Sequence, residues 1–281
     1  MKLGVVLENI GLPLRVALPE AAKLGIAGVQ LDTGGELDPA KLGDSARREL
    51  RTLLRSYNLE PSAVNCPLRR GLDTFEHQQA RIDHIQKAMQ FAADLGSRIL
   101  IVPLPKLPDA EPVKEEETAG PKPFLFFKGP PPKGDTLRET LTALARIGDK
   151  LGVTIALEAG LDPATKLAEY LNGYESGGLQ VNYDPANFFI NGHDPVANVF
   201  PLMGRIPHSH ARDARRTSAA SGPEEVPLGA GDIDWLAYMG TLAAIDYRGY
   251  VTVERTQGDR KLTDLAAGVK FLRRFVPATG S

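Results

Sequence analysis

The chain has a single cysteine, Cys66, among its 281 residues. One thiol can form no intramolecular disulfide and is too little for a cysteine-rich zinc site. Long apolar runs are missing as well. The opening MKLGVVLENIGLPLRV carries a lysine and a short apolar stretch, but Glu8 ends it far short of a signal-peptide core or a membrane span. No export signal and no membrane partner are therefore expected, and the lone thiol is compatible with a reducing compartment. The expectation is a soluble, cytoplasmic protein. Neither charge is in excess: 33 Lys and Arg face 35 Asp and Glu, for a formal net charge of -2. Nothing in that balance attracts a polyanion, so nucleic acid is not an expected partner.

Apolar residues make up 42% of the chain, enough for a sizeable core. Eight runs rich in Val, Ile and Leu stand out, at 2–7, 28–32, 60–65, 98–103, 153–158, 179–184, 205–210 and 249–254. Each has the length of a strand. Helical spacing fills segments between them, notably 44–58, 76–96, 135–152 and 261–276. Asp44 and Asp135 are placed to cap helix N-termini, and Gly25, Gly96 and Gly152 follow the last periodic residue of a helix.

Eight strand and helix alternations predict a parallel sheet with crossover helices, and the count selects a closed (β/α)8 TIM barrel over an open doubly wound sheet. The glycine-rich dinucleotide fingerprint is absent after the first strand, where LENIGLPLRVAL has one isolated glycine. The expected organisation is one barrel domain over 1–281 with two insertions. Residues 103–134, after the fourth strand, are proline-rich and cannot form a helix or a central strand. Their Phe124, Phe126 and Phe127 suit packing over the barrel mouth or on a second subunit, hence a possible homodimer contact. Residues 211–231, after the seventh strand, contain Arg212, Arg215 and Arg216.

Four potential metal ligands close the last four strands: Glu158, Asp184, His210 and Glu254. In a closed parallel barrel all strand C-termini open on one face, so these four converge. Alternation along each strand gives an independent check. Ala156, Asn182, His208 and Thr252 share the ligands' face, while Ile155, Leu157, Val181, Tyr183, Val251 and Val253 lie on the other. The bulky apolar side chains thus point out to the helices and the ligands point in. Three buried carboxylates repel one another unless a cation or protons neutralise them. A divalent metal does so, and three carboxylates with one imidazole suit Mn²⁺ best, with Mg²⁺, Co²⁺ or Zn²⁺ also compatible. The competing reading makes each an ordinary strand-end residue that caps a helix or bonds a loop.

These residues resemble the xylose isomerase-like barrel superfamily of sugar and sugar-phosphate isomerases and epimerases. The likeness is carried by Glu158, by NYDPAN at the sixth strand, HSHARDA at the seventh, PLGAGDIDW after it and VTVE at the eighth. It implies a metal quartet of Glu158, Asp184, His210 and Glu254. It further implies that Glu158 and Glu254 are catalytic, moving a proton through an enediol of a bound sugar. A keto-sugar or inosose lyase or dehydratase begins with the same proton removal, and a non-catalytic sugar-binding barrel is the remaining alternative. The superfamily also includes abasic-site endonucleases, but those resemble multi-zinc sites fed by many histidines, and this chain has five.

Two departures bear on the substrate. Asn187 stands where many ketose epimerases of the group carry histidine, and Arg212 replaces the common lysine. Asn187, His208, Arg212 and Asp213 are the expected substrate-binding residues, with His208 alternatively a buried support or a satisfied core histidine. Arg212, Arg215, Arg216 and Arg255 could hold a phosphate or form a solvated surface. Glu8, Asn9, Asp32, Asn65 and Cys66 end strands one to three, where polar groups can meet sugar hydroxyls; Cys66 reads as a small buried hydrophobe. His77 and His84 read as exposed on a polar helix.

Overall fold

A computed structural model describes residues 1–109, 133–174, 176–217 and 222–276. Eight parallel strands close into a barrel: β1 (Lys2–Val6), β2 (Gly28–Asp32), β3 (Glu60–Asn65), β4 (Ile99–Pro103), β5 (Thr154–Glu158), β6 (Leu179–Tyr183), β7 (His208–Ala211) and β10 (Tyr250–Val253). Sequential strands are neighbours all round, and β10 closes on β1 with Leu3 opposite Val251 and Gly4 opposite Thr252. Helices α1 (Leu14–Lys23), α2 (Asp44–Ser56), α3 (Gln78–Leu95), α4 (Lys133–Leu151), α5 (Ala164–Asn172), α6 (Pro185–Ile190), α7 (Trp235–Ala244) and α8 (Lys261–Leu272) make the crossovers. A short antiparallel hairpin, β8 (Asp213–Arg215) and β9 (Glu224–Val226), follows β7. The eight apolar runs thus form the (β/α)8 TIM barrel that the sequence predicts.

The outward faces of the strands do the packing. Ile155, Leu157, Val181, Val251 and Val253 are buried in one continuous core with helix residues such as Ile85, Phe91, Leu144 and Leu265. The barrel interior is a separate small cluster of Ala63, Ile101 and Ala156. Alternation requires this division, because successive side chains leave opposite faces of a strand. Above the small apolar plug the interior turns polar, and that layer holds the candidate site.

Some boundaries differ from the sequence reading. The seventh strand starts at His208, not 205, since Pro207 has no N–H to give to a ladder. Asp44 is the first residue of α2 rather than its cap; Gly43 occupies the cap position and no side chain bonds there. Asp135 lies inside α4, whose range begins at Lys133, and Pro103 belongs to β4. Gly25, Gly96 and Gly152 do adopt the left-handed backbone that ends a helix, with φ of 65°, 91° and 64°. Phe124, Phe126 and Phe127 lie outside the described residues. Among the described residues, no helix is long and apolar enough to cross a membrane.

Candidate metal centre

Glu158 is the last residue of β5, His210 lies on β7, and Asp184 and Glu254 follow the ends of β6 and β10. Each offers one ligand atom, and the four atoms lie within 4.8 Å of one another. The imidazole Nδ1 of His210 is 3.0 Å from Glu254 Oε2, 3.4 Å from Glu158 Oε1 and 3.8 Å from Asp184 Oδ2. His210 and Asp184 are buried, while the side chains of Glu158 and Glu254 keep 25% and 13% of their surface. The two glutamates, at the ends of the four-strand arc, are therefore the members that a ligand in the mouth can touch.

Local sequence explains how Asp184 is held. It is the N-cap of α6, with Pro185 at the first helical position; Ala186 N and Asn187 N donate to its Oδ1 at 2.9 and 3.1 Å. Oδ2 is left buried without a hydrogen bond, facing the other ligands, and Glu254 Oε2 is in the same position. The capping and ligand readings of Asp184 are thus compatible, one oxygen serving each. Two unsatisfied buried carboxylate oxygens beside an imidazole nitrogen are a donor set that suits a divalent cation. Gly160 makes the close approach of α6 possible, since a Cβ there would lie 2.4 Å from the Asn187 Cβ.

Arg212 supplies positive charge at the centre. Its Nη1 lies 3.5 Å from Asp184 Oδ2 and 3.8 Å from Glu254 Oε2, its Nε 3.6 Å from Glu225 Oε2, and Nη2 donates to Asn187 Oδ1 at 2.5 Å. Burial works against the Arg212 charge, but Asp184, Glu254 and Glu225 outweigh it and raise its pKa. Burial likewise opposes ionisation of Asp184, yet Arg212 and then His210 hold its carboxyl below the ordinary value of 3.8. For His210, burial disfavours the cation, whereas Glu254 first and then contacts with Asp184 and Glu158 carry its pKa well above 6.5. The three carboxylates thus favour positive charge in their midst, whether a proton on Nδ1 or a metal ion.

Beneath the quartet a buried hydrogen-bonded layer crosses the barrel. His208 bonds Asn182 Oδ1 through Nδ1 at 2.8 Å and Thr252 Oγ1 through Nε2 at 2.8 Å. Asn182 Nδ2 is 3.1 Å from His210 Nδ1, and His210 Nε2 is 2.8 Å from Gln30 Oε1. His208 is fully buried, and burial, then the charge of His210, keep its pKa well below 6.5. It sits under the site as a support, away from the mouth. Asn182 was placed on the inward face from sequence but given no role, and Gln30 was not singled out; the available signal was a polar residue on the inward face of an apolar strand, GVQLD and LQVNY.

The remaining predicted residues divide clearly. Asn187 is half-buried and gives its oxygen to Arg212. Asp213 turns from the quartet to its own loop, accepting from Ala214 N, Gly229 N and Gly231 N, and so fastens PLGAGDIDW. Arg255 is neither solvated nor free for an anion: it donates to Glu225 Oε1 at 2.8 Å and Asp264 Oδ2 at 3.0 Å. Buried Glu225 ties this hairpin down by accepting also from Thr256 N and Gln257 N. Arg215 is exposed beside Glu224, and Arg216 stacks over Phe189. Asp32 accepts from Asn65 Nδ2, Asn9 accepts from Arg255 N, and Cys66 is buried with its thiol pushed up to about 11, chiefly by burial. Glu8 accepts from Asp32 N at the rim of a recess of about 410 Å³ lined also by Asp32, Thr33 and Pro67. A larger groove of about 700 Å³, between α1 and α2 on the outer surface, includes none of the quartet. His77 and His84 are exposed, His77 as the cap of α3 rather than within it.

The chain is thus a closed parallel barrel with a Glu, Asp, His, Glu cluster at the C-terminal ends of consecutive barrel strands. Residues 18–275 match the xylose isomerase-like TIM barrel family, and the chain belongs to that family. It is similar to a xylose isomerase domain protein from Planctomyces limnophilus, with a TM-score of 0.81, 21% identity and coverage of 98% of this chain and 96% of that one. The IOLI protein crystallised with a zinc atom superposes with a TM-score of 0.74 at 20% identity over the whole of both chains. A curated relative, the inosose dehydratase of Bacillus velezensis, is 28% identical over 141 residues, which cover 44% of this chain and 47%, about half, of that one.

Proposed function

We propose that the protein is a divalent-metal-dependent isomerase or epimerase of an unphosphorylated sugar or sugar derivative. The observation that carries this reading is the pair of unsatisfied, buried carboxylate oxygens, Asp184 Oδ2 and Glu254 Oε2, gathered with Glu158 around His210 Nδ1. Glu158, Asp184, His210 and Glu254 would hold the ion. Mn²⁺ is the first choice for this ligand set, and the zinc in the IOLI protein supports a borderline ion as well. When bound, such an ion supplies Lewis acidity toward a sugar carbonyl and its neighbouring hydroxyl.

The proton transfer falls to the two partly exposed glutamates. One glutamate, as the carboxylate, removes the proton from the carbon beside the carbonyl and leaves an enediolate, and the other, in its acid form, gives a proton to the neighbouring carbon or to the opposite face of the same carbon. Arg212 stays charged beside Asp184 and Glu254 and holds Asp184 in its ionised form. The engagement of Arg212 and Arg255 with Glu225, Asp184, Glu254 and Asp264 supports a substrate without phosphate. The relative named inosose dehydratase favours a second reading, in which the same proton removal is followed by loss of water. Incubation with a panel of ketoses and inososes, with products resolved by chromatography and mass, separates the two. An epimer or isomer of unchanged mass supports the first, a product lighter by one water supports the second, and no turnover of any member in the presence of Mn²⁺ contradicts both.

A further inference from the structure

We infer that Gln30 is the positioning residue that turns His210 so that Nδ1 is the metal-binding atom. The inference rests on the metal reading of the quartet and adds a residue from the opposite side of the barrel. Gln30 lies on β2, 1% exposed, with its Oε1 2.8 Å from His210 Nε2. An amide can present either its oxygen or its NH₂. A metal on Nδ1 would leave the ring's proton on Nε2, and the amide facing Nε2 would then accept through its oxygen.

The other ring nitrogen, Nδ1, is the atom surrounded by Glu254, Glu158 and Asp184. Asn182 Nδ2 also lies 3.1 Å from it. Metal-binding histidines commonly have the second ring nitrogen bonded to a carboxylate or carbonyl, which orients the ring and increases its basicity. Here the Gln30 amide takes that place at Nε2.

The test uses Co²⁺ as probe on the full chain. Gln30→Met removes the acceptor at nearly constant length, and Gln30→Glu retains it. Loss of such an outer partner lowers metal affinity by about 10- to 100-fold. Gln30→Met is expected to fall in that range, with Gln30→Glu within a few-fold of wild type. In the Co²⁺-loaded wild type a shifted, slowly exchanging imidazole N–H resonance should be visible, and Gln30→Met should broaden it through fast exchange with water. Far-UV circular dichroism without metal confirms that both variants fold. Affinity of Gln30→Met within twofold of wild type, or an equal loss in Gln30→Glu, overturns the role of Gln30 alone. A folded wild type that takes up no Co²⁺, Zn²⁺ or Mn²⁺ overturns the metal reading and the inference together.

Discussion

Replacing Arg212 by methionine is a severe perturbation, because this guanidinium lies within 4 Å of three carboxylates. The distances are 3.5 Å to Asp184, 3.6 Å to Glu225 and 3.8 Å to Glu254. At an effective dielectric of about 20, unit charges at the shortest of these separations attract by roughly 5 kcal/mol. Desolvating the ions offsets part of that, and breaking a buried pair from one side typically costs about 3–5 kcal/mol, since the remaining charge is left uncompensated. Arg212→Met should lose stability in that range in urea unfolding at pH 7 with chelator present. Saturation with Zn²⁺ or Mn²⁺ should restore part of the loss, because binding at 100 times Kd contributes about 2.7 kcal/mol. A loss below about 1 kcal/mol without metal, within the range of ordinary surface changes, would refute the view that Arg212 neutralises this site.

Other perturbations probe separate parts of the account. Glu158→Gln and Glu254→Gln should each lower turnover by about 100-fold or more while the fold persists, as expected for loss of a general acid or base; steady-state kinetics with circular dichroism checks this. Glu8 should make stability fall with pH: loss of surrounding water, then the Asp32 charge, push its carboxyl from 4.5 up to about 8. The folded state then binds more protons than the unfolded one between those values, so stability declines as pH rises through them. Glu8→Gln should flatten the change in Tm between pH 5 and pH 8, and an unchanged slope would remove Glu8 as its source. Gly160→Ala should destabilise by about 1–3 kcal/mol, the usual cost of overpacking, because its Cβ would lie 2.4 Å from Asn187 Cβ and its φ is 132°; urea unfolding measures it.

The ligands were legible in the sequence because strand ends and ligand chemistry coincide. Glu158, Asp184, His210 and Glu254 each terminate an apolar run, and parallel closure brings such ends together without any long-range information. The supporting residue was less visible. Gln30 is 180 residues from His210, and only closure of β1 onto β10 brings β2 across from β7. The arginines were ambiguous for a related reason. Whether Arg212 and Arg255 face solvent, an anion or an acid depends on the β8–β9 hairpin, which folds back to place Glu225 between them. Asp213 illustrates the same limit: a strand-end acid beside a ligand looks like a mouth residue, yet three backbone N–H groups of its own loop take it up.

Deuterium uptake by a ketose or inosose in D₂O, followed by mass spectrometry, tests the central claim most directly. Metal-loaded protein should place one solvent deuteron on a carbon next to the carbonyl, and chelator-treated protein or Glu254→Gln should not. Incorporation that persists undiminished in both controls would contradict proton transfer at the Glu158, Asp184, His210 and Glu254 centre.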